Sequence, residues 1–250
     1  MYKEKRILAL IPARGGSKGL PRKNTRLLRG KPLIYWTIRQ ALSSKYLDQV
    51  IVSTDDNEIA MIAERYGASV PFLRPKRLAT DKAKTIDVIF HALNYFQEIN
   101  IKFDYLALLE PTSPLRKTDD IDKAVQALID RESNFDSLVS LGKIALEHPV
   151  LAKKINKKGY VGSYIKNVKC ASRRQDFPLS YFPYGVIYLS KITTLRKTKK
   201  FYQKRTLPYF IERWQNYEVD DALDFLCIDS IIRFKNTLLG NEYGNSLKKI

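Results

Sequence analysis

The sequence is poor in the residue types that support several common kinds of site. Its 250 residues include two histidines and two cysteines, and the cysteines, Cys170 and Cys227, lie too far apart for metal-ligand spacing. We therefore expect free thiols, and neither a histidine-based metal site nor a Ser-His-Asp triad. No apolar run approaches the ~18 residues that a membrane-spanning helix needs, and the start of the chain carries no signal-peptide pattern. We expect a cytoplasmic protein without membrane insertion.

The chain has a large excess of positive charge, and most of it lies in one segment. The formal net charge is +18, and residues 151–205 contain fifteen Lys and Arg against one acid, Asp176. This segment has no zinc-finger spacing, no RNP-type aromatic motif and no basic helix with heptads. We interpret it as a solvated lysine-rich face and expect no nucleic-acid partner. The alternative is a field that attracts anionic substrates, or a partner surface.

The two commonest phosphate-binding motifs are absent, but a different basic loop follows the first predicted strand. The apolar run 7–11 predicts a buried strand. The loop after it contains Arg14, Gly15, Gly16, Lys18, Gly19, Arg22 and Lys23. Its spacing is neither G-x-x-x-x-G-K-[ST] nor G-x-G-x-x-G. Because glycines let backbone N–H groups approach an anion and the cations add charge, we predict phosphate binding rather than an unliganded surface loop.

Strand and helix patterns alternate along most of the chain. Strands are predicted at 7–11, 50–53, 69–73, 105–109, 137–141, 185–189 and near 217–219. Helices are predicted at about 32–44, 58–66, 85–99, 119–130 (with Thr118 as N-cap) and 221–238. This alternation predicts an α/β fold, a mostly parallel sheet with helices on both faces, in a single domain over residues 1–250. It stops between 142 and 182, so we predict an inserted arm at about 143–182.

Several candidate binding segments follow predicted strand ends. Segments 14–24, 53–55 and 111–116, together with Arg74, each come directly after such an end. Ligands of a parallel sheet bind beyond the carboxyl ends of its strands. We therefore expect these segments to share one site.

Separated motifs in the sequence resemble those of a known family. They are Ala13-Arg14-x-x-Ser17-Lys18-Gly19-Leu20-Pro21-x-Lys23-Asn24, Val52-Ser53-Thr54-Asp55, Leu73-Arg74-Pro75, Leu78-Ala79-x-Asp81, Pro111-Thr112-Ser113-Pro114-Leu115-Arg116, Arg174-Gln175 and Pro183-x-Gly185-x-Ile187-Tyr188. In this order, up to about residue 230, the chain resembles the acylneuraminate cytidylyltransferases, the CMP-sialic acid or CMP-nonulosonate synthetases. The resemblance implies a Rossmann-like nucleotidyltransferase fold and a homodimer in which the arm, as a dimerisation arm, meets the second subunit.

The resemblance also implies a reaction and its site residues. The C2 hydroxyl of a nine-carbon 2-keto acid sugar would attack the α-phosphorus of CTP and release pyrophosphate. The catalytic residues that hold the triphosphate would be Arg14, Lys18 and Lys23. Further CTP contacts would be Ala13, Gly15, Gly16, Ser17, Asn24, Arg74, Ala83 and Thr85. The sugar contacts would be Glu110, Thr112, Ser113, Arg116, Arg174 and Gln175, with Arg174 reaching across the dimer interface.

Two positions depart from the family's pattern. Glu110 stands where the sialic acid enzymes have glutamine. An ionised carboxylate there would repel the sugar's own carboxylate, unless Glu110 bonds hydroxyl or N-acyl groups of the sugar instead. We therefore expect either sialic acid or a legionaminic-type acid as the acceptor. Glu218-Val219-Asp220 replaces an Asp-x-Asp that the family uses for Mg²⁺, and carboxylates two apart on a strand face the same side. We therefore predict Mg²⁺ as the cofactor, with Asp220 and Glu218 as its ligands.

Two other functions stay open from the sequence. The first is a CMP-ketodeoxyoctonate synthetase or another sugar-nucleotide synthetase, which a panel of acceptor sugars would distinguish. The second is a basic nucleic-acid-binding α/β protein. It predicts salt-dependent binding to DNA or RNA and no pyrophosphate release from CTP.

Overall fold

The computed structural model describes residues 1–144, 147–165, 173 and 176–240, with the backbone alone described for 236–240. The strands are β1 (Ile7–Pro12), β2 (Leu27–Leu28), β3 (Lys31–Pro32), β4 (Gln49–Ser53), β5 (Tyr105–Leu108), β6 (Ser137–Lys143), β7 (Lys153–Ile155), β8 (Val161–Ser163), β9 (Tyr181–Lys191) and β10 (Thr206–Ile211). The helices are α1 (Leu33–Leu42), α2 (Asn57–Arg65), α3 (Thr85–Glu98), α4 (Asp120–Ile129), α5 (Ile192–Thr198) and α6 (Ala222–Gly240).

The main sheet has six strands in the order β10-β6-β9-β5-β1-β4. β1 pairs in parallel with both β4 and β5, and β6 pairs in parallel with β10. β9 lies between β5 and β6 and is antiparallel to both. Five strands therefore run in one direction, and the predicted mostly parallel sheet is confirmed.

Helices cover both faces of this sheet, and β1, which lies between β5 and β4, is apolar on both sides. Side chains alternate along a strand, so Ile7, Ala9 and Ile11 face one way and pack with α1, α2 and α4. Leu8 and Leu10 face the other way and pack with α3 and α5. All five side chains are fully buried. This two-sided burial explains the uninterrupted apolar run of the first strand.

A third apolar cluster attaches α6 to the segment after β1. It consists of Leu20, Leu28, Leu33, Leu115, Val219 and Ile228. Val219 also donates its backbone N–H to the carbonyl oxygen of Thr112 over 2.8 Å. The residues that precede α6 are thereby positioned beside the carboxyl end of the sheet. No helix in the described ranges is long and apolar enough to cross a membrane.

Three predicted elements differ in the structure. Residues 69–73 form no strand and make two isolated bridges, Ser69 with Ile51 and Leu73 with Thr54. Residues 217–219 lie outside the sheet, whose final parallel strand is the unpredicted β10. This strand contains Pro208 and forms the sheet edge, where a missing N–H donor is tolerated. Helix α4 begins at Asp120, with Asp119 rather than Thr118 at its N-cap position.

The predicted arm region contains a small separate sheet. β7 and β8 pair in an antiparallel hairpin, and β6 and β9 extend their pairing to Lys143 and Tyr181 at its base. Exposed apolar side chains are concentrated on and beside the hairpin: Ile155, Tyr160, Val161 and Tyr164. Its role in dimerisation stays a prediction. Arg174, Gln175 and Cys170 lie outside the described residues.

Candidate active site

A basic cleft of about 590 Å³ lies beyond the carboxyl ends of the parallel strands. Residues from four separate segments line it: Pro12, Arg14, Ser17, Lys18, Gly19, Lys23, Asn24, Arg74, Leu78, Thr80, Asp81, Ala83, Thr85, Val88, Glu110, Pro111, Thr112 and Asp220. The structure thus brings together most of the predicted nucleotide contacts. Ala13, Gly15, Gly16, Ser113, Arg116 and Glu218 were also predicted for the site but are not among the lining residues.

The first glycine after β1, Gly15, is held by an acidic side chain that follows β4. The Gly15 N–H donates to Asp55 Oδ1 over 3.1 Å, so in this structure it is not free to bind phosphate. A Cβ at Gly15 would lie 2.7 Å from Asp56 Oδ2, which explains why a residue without a side chain is required here. Ala13 is fully buried and donates its N–H to the Ser53 carbonyl. Ala13 and Gly15 therefore hold the start of the loop in place and do not line the cleft.

Each predicted triphosphate cation is paired with a carboxylate across the cleft. Arg14 Nη1 and Lys18 Nζ lie 2.8 and 2.7 Å from the two oxygens of Asp81. Lys23 Nζ donates to the Val219 carbonyl over 2.7 Å and lies 3.2 Å from Asp220 Oδ1. The Lys23 side chain is 14% exposed, whereas that of Lys18 is 80% exposed. Lys23 is therefore fixed in position, and Lys18 reaches the cleft from solvent.

Arg74 lies buried against the base of the cleft. Its Nε donates to Ser53 Oγ over 3.1 Å, Nη2 donates to the Ser53 carbonyl, and Nη1 approaches the Leu78 carbonyl at 3.5 Å. Burial is the main cause that lowers the pKa of Arg74 to about 10. Three of the five guanidinium N–H groups are used, so two remain for a ligand. Asn24 is buried beside the loop and donates its Nδ2 to the Arg14 carbonyl over 3.0 Å.

Arg116 is not among the residues that line the cleft, and its role in sugar binding stays a prediction. It is 4% exposed. Its guanidinium donates to five acceptors: the carbonyl oxygens of Val186, Glu110 and Gly185, Thr37 Oγ1 and Gln40 Oε1. Five donors are all that a guanidinium has, so none remains for a substrate. Arg116 holds β9 against the loop after β5.

Ser113 and Glu218 form part of the same internal structure. Ser113 is 1% exposed and donates its hydroxyl to Glu218 Oε1 over 2.8 Å, and the Gly185 N–H donates to the same oxygen. The predicted sugar contact by Ser113 is therefore not supported by its position. Burial raises the pKa of Glu218. Glu218 thus fastens the start of β9 to the 110–114 loop.

Glu110 lies next to Glu218, and both carboxylates converge on Gly185. A Cβ at Gly185 would lie 2.7 Å from Glu110 Oε2 and 2.8 Å from Glu218 Oε1. Burial, and then the negative charge of Glu218, raise the pKa of Glu110 to about 7. Glu110 is thus a carboxyl group that changes protonation near neutral pH.

The two predicted metal ligands differ in their suitability. Asp220 is 83% exposed and faces the cleft, so its carboxylate is accessible to a cation. Glu218 already accepts two hydrogen bonds at Oε1. Among the described residues, no group of three or more His, Cys, Asp or Glu side chains could hold a metal ion. Mg²⁺ is commonly held by one or two carboxylates and substrate phosphates, and Asp220 fits that arrangement.

A second, aromatic cavity of about 310 Å³ adjoins the cleft, and Thr85 and Glu110 line both spaces. The other lining residues are Ile86, Ile89, Leu108, Tyr188, Lys199, Lys200, Phe201 and Tyr202. The rings of Tyr188 and Phe201 are 5.5 Å apart. Tyr188 belongs to the motif Pro183-x-Gly185-x-Ile187-Tyr188, but no sequence pattern predicted the cavity that it forms with Phe201 and Tyr202. The only sequence signal for Phe201 and Tyr202 was that this aromatic pair follows the lysine pair 199–200.

A mostly parallel sheet with a basic cleft at its strand ends and an adjoining cavity is the arrangement of an α/β nucleotide-binding enzyme with two substrates. The profile of the family described as cytidylyltransferase matches residues 8–239. The chain belongs to the cytidylyltransferase family.

Individual relatives agree with this assignment. The chain is 36% identical over 241 residues to a CMP-N,N'-diacetyllegionaminic acid synthase of Legionella pneumophila, covering 94% of this chain and 99% of that protein. It is 33% identical to an N-acylneuraminate cytidylyltransferase of Escherichia coli O18:K1:H7, covering 98% of this chain but only 56% of that longer protein. Its fold matches a CMP:2-keto-3-deoxy-manno-octonic acid synthetase solved with CTP, with a TM-score of 0.68, 17% identity, and coverage of 92% and 99%.

Proposed function

We propose that this chain is a CMP-nonulosonate synthetase, which transfers CMP from CTP to a nine-carbon 2-keto acid sugar and releases pyrophosphate. The observation that carries the proposal is the junction of the basic cleft with the aromatic cavity at Thr85 and Glu110. A nucleotide and a second substrate can meet there. The relatives described as legionaminic acid and N-acylneuraminate enzymes support the same reaction.

The basic cleft supplies positioning and charge for the nucleotide. Arg14, Lys18 and Lys23 would exchange their carboxylate partners for the phosphates of CTP. Arg74 has two N–H groups left with which to bind the base. Phosphoryl transfer depends mainly on orientation and on neutralising the charge that develops in the transition state. Lys23, fixed by the Val219 carbonyl, is the cation whose position is most defined.

The aromatic cavity would accept the sugar. Tyr188, Phe201 and Tyr202 form apolar surface for N-acyl methyl groups, and Lys199 and Lys200 bring positive charge to the same cavity. Glu110 at the junction would bond a hydroxyl or an N-acyl N–H of the acceptor. We propose a legionaminic-type acid as the acceptor because the chain is 36% identical, over 94% of its length, to a CMP-N,N'-diacetyllegionaminic acid synthase. The two N-acyl N–H groups of such a diacetylated acid are donors that the Glu110 carboxylate can accept.

We propose Mg²⁺ as the cofactor, held by Asp220 together with phosphate oxygens of CTP. When bound, the ion would neutralise charge on the phosphates. Glu218 would support the metal site indirectly, because its hydrogen bonds with Ser113 and Gly185 hold the backbone next to Asp220 in place. Asp220→Asn is expected to raise the Mg²⁺ concentration needed for half-maximal activity, whereas Asp221→Asn, at an exposed neighbouring position, is expected to leave it unchanged.

We further propose that the protein is a cytoplasmic homodimer. The support is the exposed apolar surface of the β7–β8 hairpin, where Val161 is 70% and Ile155 is 74% exposed. A second copy that covers this surface would remove it from water. Sedimentation velocity tests the assembly: a dimer is expected for the native chain and a monomer for Val161→Asp.

The reaction is tested by pyrophosphate release from CTP and Mg²⁺ with three acceptors: N-acetylneuraminic acid, N,N'-diacetyllegionaminic acid and ketodeoxyoctonic acid. Release with a nine-carbon acid is expected, and the preferred acid identifies what Glu110 selects. Release with ketodeoxyoctonic acid alone would favour the eight-carbon alternative. Absence of CTP binding, with salt-sensitive binding to labelled DNA or RNA, would favour the nucleic-acid alternative.

A further inference from the structure

Asp81 occupies a position between two cations that face the basic cleft. One of its oxygens lies 2.8 Å from Arg14 Nη1, and the other lies 2.7 Å from Lys18 Nζ. Both cations lower the pKa of Asp81, with Lys18 as the larger cause. The carboxyl is therefore negatively charged at neutral pH. It binds the two side chains much as two oxygens of a phosphate group would.

The segment that carries Asp81 also forms the wall of the cleft. The Arg74 N–H donates to the Thr54 carbonyl over 2.7 Å, and the Ala83 N–H donates to the Thr80 carbonyl over 3.1 Å. Thr80, Asp81 and Ala83 all line the cleft. Asp81 is 43% exposed, so its contacts with both cations can be exchanged without unfolding a core element.

We propose that Asp81 competes with the β- and γ-phosphates of the nucleotide for Arg14 and Lys18, and that its return to both cations displaces pyrophosphate after the transfer. This inference rests on the proposed function, because it takes a nucleoside triphosphate as the ligand. No bond is made or broken by Asp81. Two ion pairs within the protein are exchanged for two with phosphate, and then restored.

Competition has a defined consequence for binding. A ligand that must displace Asp81 loses affinity in proportion to the strength of the internal pairs. Exposed ion pairs are individually weak, so we expect their combined effect to be about fivefold in affinity. Pyrophosphate and CTP would experience this effect. CMP, which lacks the β- and γ-phosphates, would not.

The test is calorimetric titration of inorganic pyrophosphate, CTP and CMP, each in the presence of Mg²⁺, into the native chain and into Asp81→Asn. The variant is expected to bind pyrophosphate and CTP about fivefold more tightly than the native chain, with CMP unchanged. Asp81→Glu keeps the charge and is expected to retain native affinities within about twofold. Asp87→Asn removes the same charge from an exposed position six residues along the chain, and is expected to change none of the three affinities.

Other outcomes overturn the inference. Weaker pyrophosphate binding by Asp81→Asn would show that Asp81 orients the two cations for the phosphates. Equal tightening for CMP would show a general effect of charge. If CTP binds the native chain and pyrophosphate affinity is the same in both proteins, the competition fails while the proposed function stands. If neither the native chain nor Asp81→Asn binds CTP or pyrophosphate, the proposed competition and the proposed function are both wrong. Matching thermal melting curves confirm that the variants are folded.

Discussion

Replacing Glu110 with glutamine is expected to stabilise the protein at pH 8 and to leave its stability nearly unchanged at pH 4. The pKa of Glu110 is raised from 4.5 to about 7, first by burial and then by the charge of Glu218. A tenfold change in proton affinity corresponds to ~1.4 kcal/mol, so the difference corresponds to about 3 kcal/mol. Glutamine has a similar shape and carries no charge.

The sign of this effect follows from proton binding in the two states. Below pH 4.5 the carboxyl is neutral in both the folded and the unfolded chain, so Glu110 and its amide variant behave alike. As the pH rises towards 7, the unfolded chain releases this proton first, and the folded state loses stability. Above pH 7 the full cost of the buried charge is present. The gain in Glu110→Gln should therefore appear between pH 4.5 and 7.

Urea unfolding followed by tryptophan fluorescence at pH 4, 6 and 8 measures the effect. The expected gain is about 3 kcal/mol at pH 8 and within about 0.5 kcal/mol of zero at pH 4. Glu64→Gln serves as a matched control because Glu64 is exposed on α2, and its substitution should have little effect at any pH. The reasoning is refuted if Glu110→Gln gives no gain at pH 8, or the same gain at both extremes.

Three further predictions concern the basic loop after β1 and the loop after β5. Arg116→Met is expected to lower the free energy of unfolding by about 3–5 kcal/mol, because three buried and two partly buried acceptors lose their donor; a change near zero in urea unfolding would show that Arg116 is dispensable. Lys23→Met should lower kcat about 100-fold or more while the thermal melt stays close to native, and nearly normal turnover would exclude a transition-state role. Gly19→Ala should raise the KM for CTP, since its Cβ would overlap the Asp220 carbonyl oxygen and displace the loop; an unchanged KM contradicts this packing.

The local parts of the fold were predictable from the sequence. The run that became β1 is apolar on both faces, and the basic loop follows it directly, so strand and loop needed no knowledge of distant residues. β10 was missed because its six residues include Pro208, and its strand character depends on pairing with β6 at the sheet edge. Residues 69–73 had a strand pattern, but they make only isolated bridges to β4 and the residue after it.

The motif at 111–116 shows how a sequence can identify residues without assigning their roles. Thr112 lines the cleft, whereas Ser113 and Arg116 point into the protein and bond to other elements. The direction of each side chain was set by the loop's contacts with Glu218, β9 and α1. Those contacts join parts of the chain that lie far apart in sequence. The aromatic cavity was missed for the same reason.

The sequence by itself determined the class of fold, the place of the basic loop and the family, because these depend on local pattern and on the order of motifs. Tertiary structure decided which charges meet. Arg14 and Asp81 are 67 positions apart, and Lys23 and Asp220 are 197 positions apart. An ion pair needs its atoms within about 4 Å, and over such separations only the packing of the intervening strands and helices brings two side chains that close.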